Sequence, residues 1–117
     1  CKRAVPLNVS GAFHSPLMAE AAQQFRQVLD GITFQTAQIP VLSNVDPTPS
    51  TDAAELKDRL DRQMTGSVRW REISLQLPQS GVSRVVEVGP GKVLVGIMKR
   101  TCSDVSFETV SSAADLP

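Results

Sequence analysis

A chain of 117 residues with 12 Lys+Arg against 12 Asp+Glu is one domain's worth of polypeptide with zero formal charge. That balance offers no electrostatic footprint for a nucleic-acid backbone or an anionic membrane, and neither is expected as a partner. With 41% apolar and 21% charged residues, the composition also argues against disorder.

The first strand-like stretch is residues 4–9, Ala4-Val5-Pro6-Leu7-Asn8-Val9, reached directly from Cys1-Lys2-Arg3 with no initiator Met. A chain that opens inside an element reads as an excerpt of something longer. After Gly11-Ala12-Phe13-His14, Ser15 suits a helix N-cap and Pro16 the first helical position, where its missing N–H costs nothing. Leu17, Ala21, Phe25 and Val28/Leu29 then share one face at 3.6-residue spacing, and Gly31 is the stop.

Residues 39–45 read as a short buried strand closed by a turn at Asp46-Pro47. Asp52 with Glu55 three residues on has the spacing of a capping box, and Leu56, Leu60 and Met64 make the stripe of the helix that follows. Ser67 suits the cap of a third helix carrying Val68, Ile73 and Leu77, ending near Pro78 and Gly81. Arg84-Val85-Val86-Glu87-Val88 is the β-branched run of a parallel strand covered on both faces. Gly89-Pro90-Gly91 turns the chain into a fourth helix, residues 92 to about 101, with Leu94, Ile97 and Met98 inward. Residues 105–110 suit a closing strand, and 111–117 a loose tail. This order of elements is α/β with a mainly parallel sheet. The longest apolar run near the end, Val93-Leu94-Val95 resuming as Ile97-Met98, is far short of the ~20 residues of a membrane span.

Few residues carry chemistry. Two cysteines and one histidine make neither a disulfide framework nor a metal site, and Cys102 reads as inert packing. His14, at a strand-to-helix junction, is either a general base or a loop histidine that only packs. Its neighbour Ser15 is better used as the cap, and no Gly-x-Ser-x-Gly elbow supplies a nucleophile. The segment from Val86 to Lys92 fits neither a phosphate loop nor a dinucleotide fingerprint, because Val93 follows Lys92 and the glycine spacing is wrong. Trp70 between Arg69 and Arg71 reads as a packing anchor, and the charges from Asp58 to Arg62 as a solvated face. Gln63 ends that helix, where a backbone carbonyl lacks an intrahelical partner and is able to receive a histidine N–H.

Four ordered stretches together carry a resemblance. They are residues 9–18 (Val-Ser-Gly-Ala-Phe-His-Ser-Pro-Leu-Met), residues 40–45 (Pro-Val-Leu-Ser-Asn-Val), Arg62-Gln63-Met64 with Val68-Arg69-Trp70, and residues 87–94 (Glu-Val-Gly-Pro-Gly-Lys-Val-Leu). The chain resembles the malonyl-CoA:acyl carrier protein transacylases and the acyltransferase domains of polyketide synthases, over roughly their last two-fifths.

The resemblance implies a malonyl group moved from malonyl-CoA to the phosphopantetheine thiol of acyl carrier protein through a malonyl-serine, with no cofactor. It implies catalytic roles for His14 as base and for Gln63, whose backbone carbonyl orients the ring, and a substrate-binding role for Phe13 that favours malonyl over methylmalonyl. It gives Asn44 a place near the site but no role. The architecture implied is the C-terminal part of a hydrolase-like core, residues 10–110. Residues 1–9 would be the last strand of a ferredoxin-like small subdomain. The family's serine elbow, Gly-Gln-Gly loop and carboxylate-binding arginine are absent from these residues, so the chain alone is expected to be inactive and to need the N-terminal part of the same enzyme as a partner. A cytoplasmic enzyme of fatty acid synthesis is the first expectation. The alternatives are a polyketide synthase acyltransferase domain and a non-catalytic α/β module that binds a carrier protein.

Overall fold

The computed structural model describes residues 4, 6 and 9–115, so the strand expected over residues 4–9 lies outside the described residues except at three positions. The chain forms two compact units, residues 1–68 and 69–117.

In the first unit, Ser15 caps a short 3-10 turn, Pro16–Met18, which runs into helix α1, Ala19–Asp30. Gly31 ends the helix in a right-handed conformation, so it stops the chain without exploiting glycine's left-handed freedom. Strand β1, Val41–Ser43, pairs antiparallel with β2, Asp46–Ser50. The expected turn at Asp46-Pro47 is thus two residues early in the chain, at Asn44 and Val45. Prolines 47 and 49 hold the preceding Asp46 and Thr48 in extended backbone, so the segment is a strand despite its turn-like composition.

Helix α2, Ala53–Arg62, is capped by Asp52, whose Oδ1 accepts from Glu55 N–H at 2.7 Å. The box is only half closed: Asp52 N–H goes to Ser50 Oγ, and the Glu55 carboxylate accepts from the Ser50 hydroxyl and from Arg59. The core of this unit holds Leu29 and Val45 and, against expectation, Arg59 at 1% exposure. Asp58 and Arg62 do lie on the solvated face, paired at 2.7 Å.

The second unit opens with α3, Trp70–Gln79, two residues later than a Ser67 cap would begin it, which leaves Val68 outside the helix. Ile73 and Ser74 are its buried positions. Pro78 is accommodated in its last turn, and the chain leaves through Gly81 at φ 81°, with Val82 N–H closing onto Leu77 O at 3.1 Å. Strand β3, Arg84–Val88, pairs in parallel with β4, Ser106–Val110, through helix α4, Val93–Met98. Met98, Cys102 and Val105 form the core, packed by Trp70, Leu77, Val85 and Phe107, so the tryptophan is the anchor its setting suggested.

Two readings of this unit need correction. Helix α4 is six residues long, and its buried positions are Val95 and Met98, while Leu94 and Ile97 are both 43% exposed. Strand β3 is not covered on both faces: Val86 and Val88 are exposed, Val88 at 78%. The tail closes into a 3-10 turn, Ala113–Asp115, with the Asp115 carboxylate accepting from Ser111 and Ser112 N–H. The fold is α/β, with one parallel and one antiparallel strand pair among the described residues. No helix of the described residues is long and apolar enough to cross a membrane.

The β3–α4 turn needs glycine at Gly89 (φ 131°) and Gly91 (φ 96°). The Glu87 carboxylate fills the end of α4, accepting from Leu94 N–H at 3.0 Å and Val95 N–H at 2.9 Å. A phosphate loop would need those donors free, which gives the failed motif a physical reason. Glu87→Ala is expected to destabilise the unit by about 1 kcal/mol, the usual loss of a side-chain cap, read as a shift in urea midpoint.

Candidate active site

The site is built from two pieces of the first unit. One is the loop Ala12-Phe13-His14-Ser15 that enters α1; the other is the C-terminal end of α2. Gln63 follows the last residue of α2, and its N–H still bonds Arg59 O at 3.1 Å. Beyond it, Met64 N–H turns back to Asp61 O and Gly66 N–H to Arg62 O at 2.8 Å, so the Gln63 carbonyl is left to find a partner elsewhere.

That partner is His14. Its Nδ1 lies 2.9 Å from Gln63 O across 49 residues of sequence. A backbone carbonyl only accepts, so Nδ1 carries a proton, and in the neutral ring the lone pair is then on Nε2. The half-buried ring is thereby presented as a proton acceptor at Nε2, oriented by a neutral group instead of a carboxylate. His14 takes φ 59°, the one left-handed non-glycine residue among the described residues. Such conformations cost free energy in any residue with a Cβ and cluster at functional sites.

Phe13 stands beside it, 60% exposed, and a Cβ added at Gly11 would come within 3.1 Å of its ring. Asn44 and Gln63 both line a largely apolar cavity of about 470 Å³, walled by Phe34, Leu42, Leu56 and Leu60. Phe13 and His14 do not line it. Ser15 is committed to local bonds: its hydroxyl donates to Ala12 O at 2.7 Å and accepts from Leu17 N–H at 3.3 Å. Cys102 is buried, with its thiol directed at Met98 O, 3.5 Å away. Among the described residues no cluster of side chains is suited to a metal ion.

Sequence reasoning missed Arg59. Its guanidinium bonds Thr48 O and pairs with Glu55 and, at 3.6 Å, with Asp46, tying the β1–β2 hairpin to α2 one turn before Gln63. The available signal was the pair of acids at positions 46 and 55, the second of them four residues before Arg59. The turn after Gln63 is packed just as closely. A Cβ at Gly66 would lie 2.8 Å from Arg62 O and 2.9 Å from Val45 Cγ1. Gly66→Ala is therefore expected to destabilise the unit by about 1–3 kcal/mol, the range for overpacking, measured by chemical denaturation.

Known proteins share this arrangement of sequence and fold. No family model matches the chain. A malonyl CoA-acyl carrier protein transacylase of Synechocystis sp. is 52% identical over 115 residues, which is 98% of this chain. The chain is homologous to the malonyl CoA-acyl carrier protein transacylases. It spans 39% of the length of that relative, so it corresponds to about two-fifths of such an enzyme. The crystal structure of the Synechocystis transacylase superposes with a TM-score of 0.91, covering 97% of this chain and 39% of that one. A second transacylase structure, solved with a type II polyketide synthase acyl-carrier protein, is 40% identical with a TM-score of 0.88, covering 97% of this chain and 37% of the transacylase.

Proposed function

We propose that this chain is the C-terminal part of a malonyl-CoA:acyl carrier protein S-malonyltransferase and carries its general base. The observation that carries the reading is the His14–Gln63 carbonyl bond, which leaves Nε2 free to take a proton. In the first half-reaction a serine hydroxyl from outside these residues attacks the malonyl thioester carbonyl. His14 Nε2 takes the hydroxyl proton and returns it to the departing coenzyme A thiolate. In the second, the phosphopantetheine thiol of acyl carrier protein gives its proton to His14 and attacks the malonyl-serine ester. The serine oxygen leaves and is reprotonated, so the residue ends as it began.

Gln63 acts through its backbone carbonyl, which sets the ring's tautomer and orientation. Phe13 serves as a substrate-binding residue whose bulk takes up the space an α-methyl group needs; one methyl supplies about 1–3 kcal/mol of discrimination. The β3–α4–β4 unit would be part of a hydrolase-like core over residues 10–110, with residues 1–9 belonging to a small subdomain, in a cytoplasmic enzyme. Malonyl-CoA, the carrier protein and the N-terminal part of the same enzyme are the partners. No elbow serine lies in these 117 residues, and the hydroxyl next to His14 is committed elsewhere, so the chain alone should not turn over.

The test is malonyl-CoA labelling of the full-length protein that contains this chain, with peptide mapping of the adduct. A malonyl ester on a serine outside these residues, chased off by carrier protein, supports the reading. No label on the full-length protein, or turnover by the 117-residue chain alone, overturns it. A polyketide pathway is the second reading, favoured by the relative solved with a polyketide carrier protein. Competition between fatty-acid and polyketide carriers for the labelled enzyme separates the two.

A further inference from the structure

An N-cap needs only a side-chain acceptor for the helix N–H groups. Ser15 supplies one to Leu17, but it also spends its hydroxyl proton, donating to Ala12 O at 2.7 Å. The bond back to Ala12 spans Phe13 and His14, the latter held at φ 59°, while the bond from Leu17 lies wholly on the helix side of it. Ser15 itself is extended, φ −138° and ψ 162°, and its own carbonyl accepts from Met18 N–H at 3.0 Å. The bond to Ala12 is therefore surplus to capping, and it closes the loop in which His14 takes its strained conformation.

We propose that Ser15 is a positioning residue for His14: the hydroxyl bond to Ala12 O locks the left-handed backbone of His14 and so keeps Nδ1 on the Gln63 carbonyl. Its bearing on catalysis rests on the reading of His14 as the base; its effect on the ring does not. Three substitutions separate the two jobs of the hydroxyl. Ser15→Thr keeps both acceptor and proton. Ser15→Asp keeps a good cap but has no proton to give Ala12. Ser15→Ala loses both.

The test uses the full-length protein that contains this chain, labelled with nitrogen-15 in its histidines, and the His14 signal is identified as the one lost in His14→Gln. The spectra of all variants are compared at one alkaline pH, where the neutral ring reports its tautomers. The wild type and Ser15→Thr should be dominated by the Nδ1–H form. In Ser15→Asp and Ser15→Ala the ratio of Nδ1–H to Nε2–H should fall roughly three- to tenfold, the weight of one hydrogen bond. A purely structural cap predicts something else: Ser15→Asp would match the wild type. That result, or a Thr variant that falls as far as Ala, overturns the proposal. Should Ser15→Ala not fold, the Thr and Asp variants still decide it. Because the readout is a tautomer and not turnover, it stands apart from the labelling test: an inactive full-length protein would leave it intact, and its failure would leave the base assignment intact.

Discussion

Arg59→Ala should destabilise the first unit by about 2–4 kcal/mol. Breaking a buried ion pair costs about 3–5 kcal/mol, and the partial exposure of its carboxylate partners brings the figure down. The side chain is 1% exposed and among the largest fully buried ones described, so truncation also opens a cavity. Asp46 and Glu55 would then face each other without the guanidinium between them. Both carboxyls are held below their ordinary values of 3.8 and 4.5: Asp46 first by Thr48 N–H and also by Arg59, Glu55 first by the Ser50 hydroxyl and then by Arg59. Depressed carboxylates contribute stability that is fully present above the unfolded values and is lost as pH falls through the folded ones. Urea midpoints from pH 6 down to pH 3 should therefore decline for the wild type, and decline less for Arg59→Ala. Equal slopes would remove Arg59 from the acid response. Arg59→Met, which restores most of the volume, separates the cavity from the charge.

The second large effect concerns His14. In the full-length protein, His14→Ala is expected to lower kcat/KM for malonyl transfer by about 10²–10⁴, the usual worth of a positioned general base. On the proposed mechanism both half-reactions use the same ring, so labelling of the enzyme by malonyl-CoA and discharge to carrier protein should slow together. A variant that labelled at the wild-type rate and failed only in discharge would assign the first proton transfer to another group.

How much of this was legible beforehand follows from the range of the forces involved. The cap at Ser15 and the place of Pro16 after it were readable because they act within a few residues of one another, but they open a 3-10 turn and α1 itself starts at Ala19, with Leu17 and Val28 of the expected stripe exposed. The capping role of Asp52 was readable for the same reason, and β3 matches its β-branched run. The end of β1 was misjudged because Asp-Pro is both a turn former and an extended dipeptide, and pairing with β1 decided between them. In α4, six residues are too few for a period to show which face turns inward, so Val95 rather than Leu94 and Ile97 took the core. Arg59 escaped because its burial depends on Thr48 and Asp46, which lie on another element. The partner of His14 is a main-chain atom. Side-chain identity does not encode such a group, so only the position of Gln63 at a helix end pointed to it.

The two prolines of β2 have a consequence for how the molecule behaves in a crowd. β2 pairs with β1 through Asp46 and Ser50, with an irregularity in the register between them, and carries Pro47 and Pro49 in the same five residues. Neither proline has an N–H to offer, so β2 presents fewer donors on which a further strand could dock. Amyloid-like stacking therefore has a poorer template in this strand, and the protection comes from backbone chemistry alone, independent of pH and salt.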